Sequence, residues 1–193
     1  MKWKSIVVFS LIVFGGCSEA VEEVQPKEDK KTPPNIIFLI GDGMGLSQMS
    51  TAYYFGNGEP NFSRFPVVGL SKTRSGSHKI TDSAAGATAF SCGEKTYNGA
   101  IGVTMDTASV ETIMEELSEL GWNTGVISTS SVTHATPSSF YAHVENRGMQ
   151  EEIARQLVYS DVDFVAGGGH RWFLSRLDSL NYWDSLVEQD WIL

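Results

Sequence analysis

The 193-residue chain has a formal net charge of −9 and a hydrophobic fraction of 41%. That length suits one domain or part of a larger one, and that apolar fraction is ordinary for a globular protein. So acidic a balance excludes binding to a nucleic-acid backbone, and an anionic substrate would need a local positive site to overcome the field.

Lys2 and Lys4 precede a short apolar run from Ile6 to Gly16. This is the pattern of an export signal, and it is shorter than the roughly 20 residues a transmembrane helix needs. Phe14-Gly15-Gly16-Cys17 is similar to a bacterial lipobox, in which the cysteine is lipidated and becomes the mature N-terminus; Phe14 departs from the usual aliphatic residue. An ordinary signal peptide with an incidental cysteine is the alternative. The chain has two cysteines, so acylation of Cys17 would leave Cys92 without a disulfide partner, as a small buried hydrophobe. Residues 18–32 are polar and charged, a tether ahead of Pro33-Pro34.

The continuous apolar run Asn35 to Ile40, bounded by Gly41, predicts a buried strand of a parallel sheet. Small residues over 83–91 predict a short helix. From Ser109 to Leu120, Val110, Ile113, Met114, Leu117 and Leu120 share one helical face, with Gly121 as the stop. Gly125 to Thr129 reads as the next strand. Thr136-Pro137 predicts a helix opening, Thr as cap and Pro first, running to about Asn146. Gln150 to Tyr159 predicts another helix, and Asp163 to Ala166 a third strand stopped by Gly167-Gly168-Gly169. Strands alternating with helices give an α/β fold with a mainly parallel central sheet flanked by helices. Its active site should lie beyond the carboxyl ends of the strands, where Gly41-Asp42, His134 and Gly169-His170 fall.

Three strings carry candidate chemistry. In Gly41-Asp42-Gly43-Met44-Gly45, glycines let the backbone approach a ligand, and Asp42 is either a metal ligand or a helix cap. In Thr81 to Ala89, Ser83 opens a helix whose free N–H groups and small side chains suit a phosphate. A serine is a weak nucleophile without a base or metal, and no histidine lies beside Ser83 in the string. Taken alone, Ser83 or Asp82 reads equally well as a helix cap. The third string is His134-Ala135-Thr136-Pro137, followed by Ala142 to Arg147. The planar guanidinium of Arg147 offers two parallel donors to an oxyanion, or else it is a surface residue near a helix C-terminus. His78, His143 and His170 read as loop, packed or surface histidines.

Together these strings, with the stretch Lys95 to Val103, resemble the bacterial alkaline phosphatases over roughly residues 35–170. The resemblance implies a phosphate monoester hydrolase that uses zinc and magnesium and passes through a phosphoserine intermediate. It places the nucleophile on Ser83, the phosphate clamp on Arg147, and the acid that orients the clamp on Asp82. It makes Asp42 a ligand of one zinc that also reaches magnesium, and Thr136 a magnesium ligand. His134 occupies a position where family members carry Asp or His; the resemblance makes it a metal-site residue that contacts magnesium through water, with a neutral imidazole removing a negative charge from the surroundings. The implied partners are phosphate monoesters, and the family allows a homodimer of the full-length protein. The implied location is the periplasm or, through a lipid on Cys17, a membrane surface.

The division expected is a signal peptide over 1–17, a linker over 18–32, and the N-terminal part of the catalytic domain over 33–193. Two zinc ions need three or four ligands each, which the family draws mostly from its C-terminal half. A chain ending at Leu193 is thus expected to be truncated, poorly active and prone to aggregate through uncovered sheet surface. The alternatives are a phosphodiesterase or sulfatase of the same superfamily, or a non-catalytic surface lipoprotein.

Overall fold

The computed structural model describes residues 34–189 and 191. The expected signal peptide, lipobox with Cys17, and linker lie outside these residues. The chain divides into two units, Met1–Leu39 and Ile40–Leu193.

In the first unit, residues 34–39 form no strand, and Ile36, Ile37, Phe38 and Leu39 are all exposed. The predicted buried strand over Asn35–Ile40 is therefore corrected. A strand exists through its ladder, and the sheet among the described residues contains two other segments only. An apolar run signals that a segment suits burial, not that a partner has been paired with it.

The second unit contains α1 (Leu46–Phe55), a 3₁₀ turn (Asn61–Arg64), α2 (Ser83–Ser91) and α3 (Ile113–Glu119). There follow β1 (Gly125–Ser131), α4 (Ala135–Ser138), α5 (Gln150–Val158), β2 (Phe164–Gly168), α6 (Arg171–Leu174) and α7 (Tyr182–Glu188). β1 and β2 pair in parallel, Val126 beside Val165 and Ser131 beside Gly168, with an irregularity between Ile127 and Ser131. The connection between them carries α4 and α5, as a parallel pair requires. This is the α/β arrangement expected.

The core forms where α5 lays Ile153, Ala154, Leu157 and Val158 against Val126, Val132, Tyr141, Ala142, Phe173 and Leu186. Those α5 positions fall on one helical face. Inside this core, the Tyr141 hydroxyl donates to the Val132 carbonyl at 2.7 Å, which satisfies a buried polar group. β2 runs on through Gly167 and Gly168 rather than stopping at them. A Cβ on Gly167 would lie 2.7 Å from Val132 Cγ1 and 3.0 Å from the Ser128 carbonyl oxygen. These glycines permit close strand pairing, and the turn comes only at Gly169, with φ +111°.

Two predicted helices are shorter than expected. α3 begins at Ile113, not Ser109, because Thr112 and Glu115 form a reciprocal capping box. Ser109 instead bridges Val103. The stop at Gly121 is as predicted: Gly121 N donates to Ser118 O at 2.9 Å and Trp122 N to Leu117 O at 3.0 Å, a Schellman closure. The helix expected from Thr136 to Asn146 is the single turn α4, with His134 rather than Thr136 at its N-cap. The chain leaves it because Val144 pairs antiparallel with Ile101, exchanging hydrogen bonds of 3.0 and 2.9 Å. Cys92, expected to be buried, is half-buried at the end of α2; burial pushes its thiol up, against the contact with Ser91.

His143 sits beside this bridge rather than on a helix. Its Nδ1 lies 2.7 Å from Gly102 O and its Nε2 2.8 Å from Glu115 Oε1. Both partners accept, so the ring satisfies both only as imidazolium. The hydrogen bond to Glu115 accordingly raises His143 above its ordinary pKa. Burial pushes Glu115 up, but the hydrogen bonds from His143 and Thr112 outweigh it and leave the carboxyl low. The stabilisation is complete between the ordinary carboxylate and imidazole values, about pH 4.5 to 6.5. It is lost as pH rises through the raised His143 value, and as pH falls through the lowered Glu115 value. The melting-temperature gap between the parent and His143→Gln should thus peak near pH 6 and shrink above pH 7. A gap constant from pH 6 to 9 would show that the pair does not titrate there.

Candidate active site

The N-terminus of α2 is the focus. Asp82 is its N-cap and uses its two carboxylate oxygens differently. Oδ1 accepts from Ala85 N at 3.0 Å, the capping bond. Oδ2 accepts from Gly99 N at 3.0 Å and from Arg147 Nη1 at 3.2 Å. The capping bond and the bond to Arg147 coexist in one side chain.

With Asp82 capping, Ser83 Oγ is spared for other work. It accepts from Arg147 Nη1 at 2.8 Å. Ala84, Ala85 and Gly86 follow it, so the first turn of the helix carries only small side chains of its own.

Arg147 reaches a third group: its Nη2 lies 3.2 Å from His134 Nε2. A guanidinium only donates, so Nε2 is the acceptor of this contact. Asp82, Ser83 and His134 together engage three of the guanidinium's five N–H donors. The Arg147 backbone is held too, its N–H donating to Gly99 O at 2.7 Å. Gly99, at φ +93°, thus touches both the arginine and the aspartate bonded to it. Sequence reasoning gave Asn98-Gly99 no role, although the dipeptide is a strong turn signal. Asn98 Oδ1 accepts from Asp82 N at 3.3 Å.

Asp42 and Thr136 form a second locus. Thr136 Oγ1 donates to Asp42 Oδ2 at 3.0 Å, although the residues are remote in sequence. Asp42 does not cap α1; Gly45 holds that position. His170 stands apart, its ring edge-on to Trp183 at 4.9 Å. His78 Nδ1 contacts Ser77 Oγ at 2.7 Å in a loop.

Residues 33–184 match the family model described as alkaline phosphatase. The chain belongs to the alkaline phosphatase family. It is 44% identical over 162 residues to the alkaline phosphatase of Schizosaccharomyces pombe, covering 78% of this chain and 30% of the yeast protein. It is 37% identical over 181 residues to alkaline phosphatase 3 of Bacillus subtilis, covering 86% of this chain and 39% of that one. Among solved structures, the alkaline phosphatase of the Antarctic bacterium TAB5 superposes with a TM-score of 0.75 at 53% identity, covering 77% of this chain and 43% of that one. A variant of that enzyme, at 52% identity, has magnesium bound; the match covers 76% of this chain and 42% of that one, with a TM-score of 0.75. This chain therefore spans about 30 to 43% of the length of these alkaline phosphatases.

The donor set fits part of one metal site. Asp42 Oδ2 and Thr136 Oγ1 are hard oxygen donors already side by side, the kind a magnesium ion takes alongside water. They do not fit two zinc sites. A catalytic zinc usually takes three protein ligands, and the described residues contain no group of three or more His, Cys, Asp or Glu.

Proposed function

We propose that the protein hydrolyses phosphate monoesters, with Ser83 as the nucleophile and Arg147 as the clamp on the phosphoryl oxygens. The observation that carries this reading is the 2.8 Å contact from Arg147 Nη1 to Ser83 Oγ at the start of α2. This contact supports the reading because it joins the proposed attacking atom to the proposed anion-binding group, where the helix macrodipole also favours negative charge.

Ser83 Oγ attacks phosphorus, the ester P–O bond breaks, and the alcohol departs with a proton. Water then cleaves the phosphoserine, releasing inorganic phosphate and restoring the hydroxyl. Arg147 stabilises the serine oxygen as it loses its proton and holds non-bridging oxygens as charge moves across the phosphoryl group. Asp82 holds the guanidinium in place. Asp42 and Thr136 would hold magnesium, with His134 lining the Arg147 side. Magnesium held there would supply Lewis acidity beside the phosphoryl group.

The test is a comparison of monoester and diester turnover by the intact protein. A phosphate dianion presents several free oxygens to Arg147, whereas a diester puts an organic group where one of them would lie. The expected result is monoester turnover well above diester turnover. A preference for diesters or sulfate esters would overturn the proposal, and no turnover of any ester would favour a binding protein.

We also propose export with anchoring through a lipid on Cys17, supported by the Lys2–Cys17 pattern. In the native host, the protein should partition with membranes, and Cys17→Ser should release it. A fully soluble parent would refute the anchor while leaving export intact.

A further inference from the structure

We infer that Gln150 is a positioning residue for Arg147, tying the carbonyl of the arginine to the end of β1; the inference rests on the clamp reading above. Gln150 is the first residue of α5. Its Nε2 donates to Arg147 O at 2.6 Å, and its Oε1 accepts from Thr133 Oγ1 at 2.6 Å. The amide has one workable orientation. A carbonyl only accepts, so the NH₂ end must face Arg147, and a flipped amide would set oxygen against oxygen.

Thr133 has one hydroxyl proton, and it goes to Gln150. Ser131 Oγ, 2.7 Å from Thr133 Oγ1, must then be the donor of that contact. Ser131 is the last residue of β1 and pairs with Gly168 in the sheet. Thr133 is fully buried. A hydrogen-bond relay thus runs from the sheet end through Ser131, Thr133 and Gln150 to the Arg147 backbone.

The relay closes on itself. Thr133 is bonded covalently to His134, whose Nε2 receives Arg147 Nη2. The Arg147 N–H is fixed separately on Gly99, which also donates to Asp82. The N–H of Arg147 is therefore referenced to the α2 side of the site and its carbonyl to the β1 side. The guanidinium touches both sides, at Asp82 and Ser83 and at His134. Among the described residues Gln150 supplies the one hydrogen bond to the Arg147 carbonyl, and a misplaced anion clamp loses affinity steeply. Gln150 touches no substrate in this scheme and acts through Arg147 alone.

Gln150→Glu isolates the effect. A carboxylate at the first turn of α5 suits the helix macrodipole and still accepts from Thr133, which offsets the oxygen it sets against the Arg147 carbonyl, so the fold should be kept. It cannot donate to Arg147 O. The inhibition constant for inorganic phosphate should rise about five- to tenfold in the intact protein, with the melting temperature close to the parent's. In an Arg147→Ala background the same substitution should add nothing, because the group it positions is gone. Acidification should narrow the gap between Gln150→Glu and the parent, since a protonated carboxyl can donate again. If Gln150→Glu does not fold, Thr133→Val, nearly isosteric, breaks the same relay one step earlier and should raise the constant in the same direction. Equal effects in both backgrounds, or an unchanged constant in the folded variant, would overturn the inference. An unchanged constant in Arg147→Ala itself would instead overturn the clamp reading.

Discussion

Ser83→Ala is expected to remove phosphoserine formation and to lower monoester turnover by about 10³-fold or more, since the nucleophile has no stand-in. The fold should not feel the change. Asp82, not Ser83, caps α2, through its bond to Ala85 N. Alanine is the best helix former, so the first position of α2 loses no propensity. Arg147 Nη1 loses one acceptor but keeps Asp82 Oδ2 at 3.2 Å. Stability should therefore move by no more than about 0.5 kcal/mol, and the lost activity will report chemistry rather than unfolding. The measurement is acid-quenched labelling with a radioactive phosphate monoester. The parent should retain label on a peptide containing Ser83, and the variant should retain none. Label appearing on another residue of the variant at the parent's rate would reassign the nucleophile.

The parts of this molecule legible in the sequence are those set by local chemistry. α2 starts where an Asp-Ser pair meets a run of small residues, and Asp82 caps it with a short-range bond. β1, α5 and β2 follow from a β-branched run, an amphipathic period and an apolar run before glycines. The errors came from contacts between distant segments. Nothing near Thr136 shows that Val144 will pair with Ile101 and cut α4 to one turn. The run from Ile36 to Leu39 advertises burial and contains no information about which strand it should pair with.

The error at α3 was of another kind. Thr112-x-x-Glu115 is a capping-box pattern, but the apolar spacing extends back through Val110, so periodicity alone starts the helix too early. At the site, residue types were legible and their connections were not. The sequence offered Asp82 as a cap or as a partner of Arg147, and only the fold shows two oxygens doing both. Gly99 and Gln150 gave no catalytic signal because each acts through backbone atoms of Arg147.

Arg147→Ala should weaken inhibition by inorganic phosphate by about 1.5–3 kcal/mol, roughly 10- to 150-fold, the usual worth of hydrogen bonds to a charged group. Three considerations point to a loss of affinity rather than of fold. Asp82 is not stranded, because Gly99 N and Ala85 N remain on its two oxygens. The Arg147 backbone bonds to Gly99 and Gln150 do not need the side chain. The Arg147 side chain is 31% exposed, so its removal opens no sealed cavity. Arg147→Lys should recover only part of the affinity. An ammonium restores the charge but not the planar fork that now spans Ser83 and Asp82 on one nitrogen and His134 on the other. The expected order of phosphate inhibition constants is parent lowest, Lys intermediate and Ala highest, with melting temperatures nearly equal. If Lys matches the parent, the site reads charge alone and the two-nitrogen clamp is wrong. If Ala also matches it, Arg147 does not contact phosphate, and the grouping of Ser83, Asp82 and His134 around its guanidinium serves structure only.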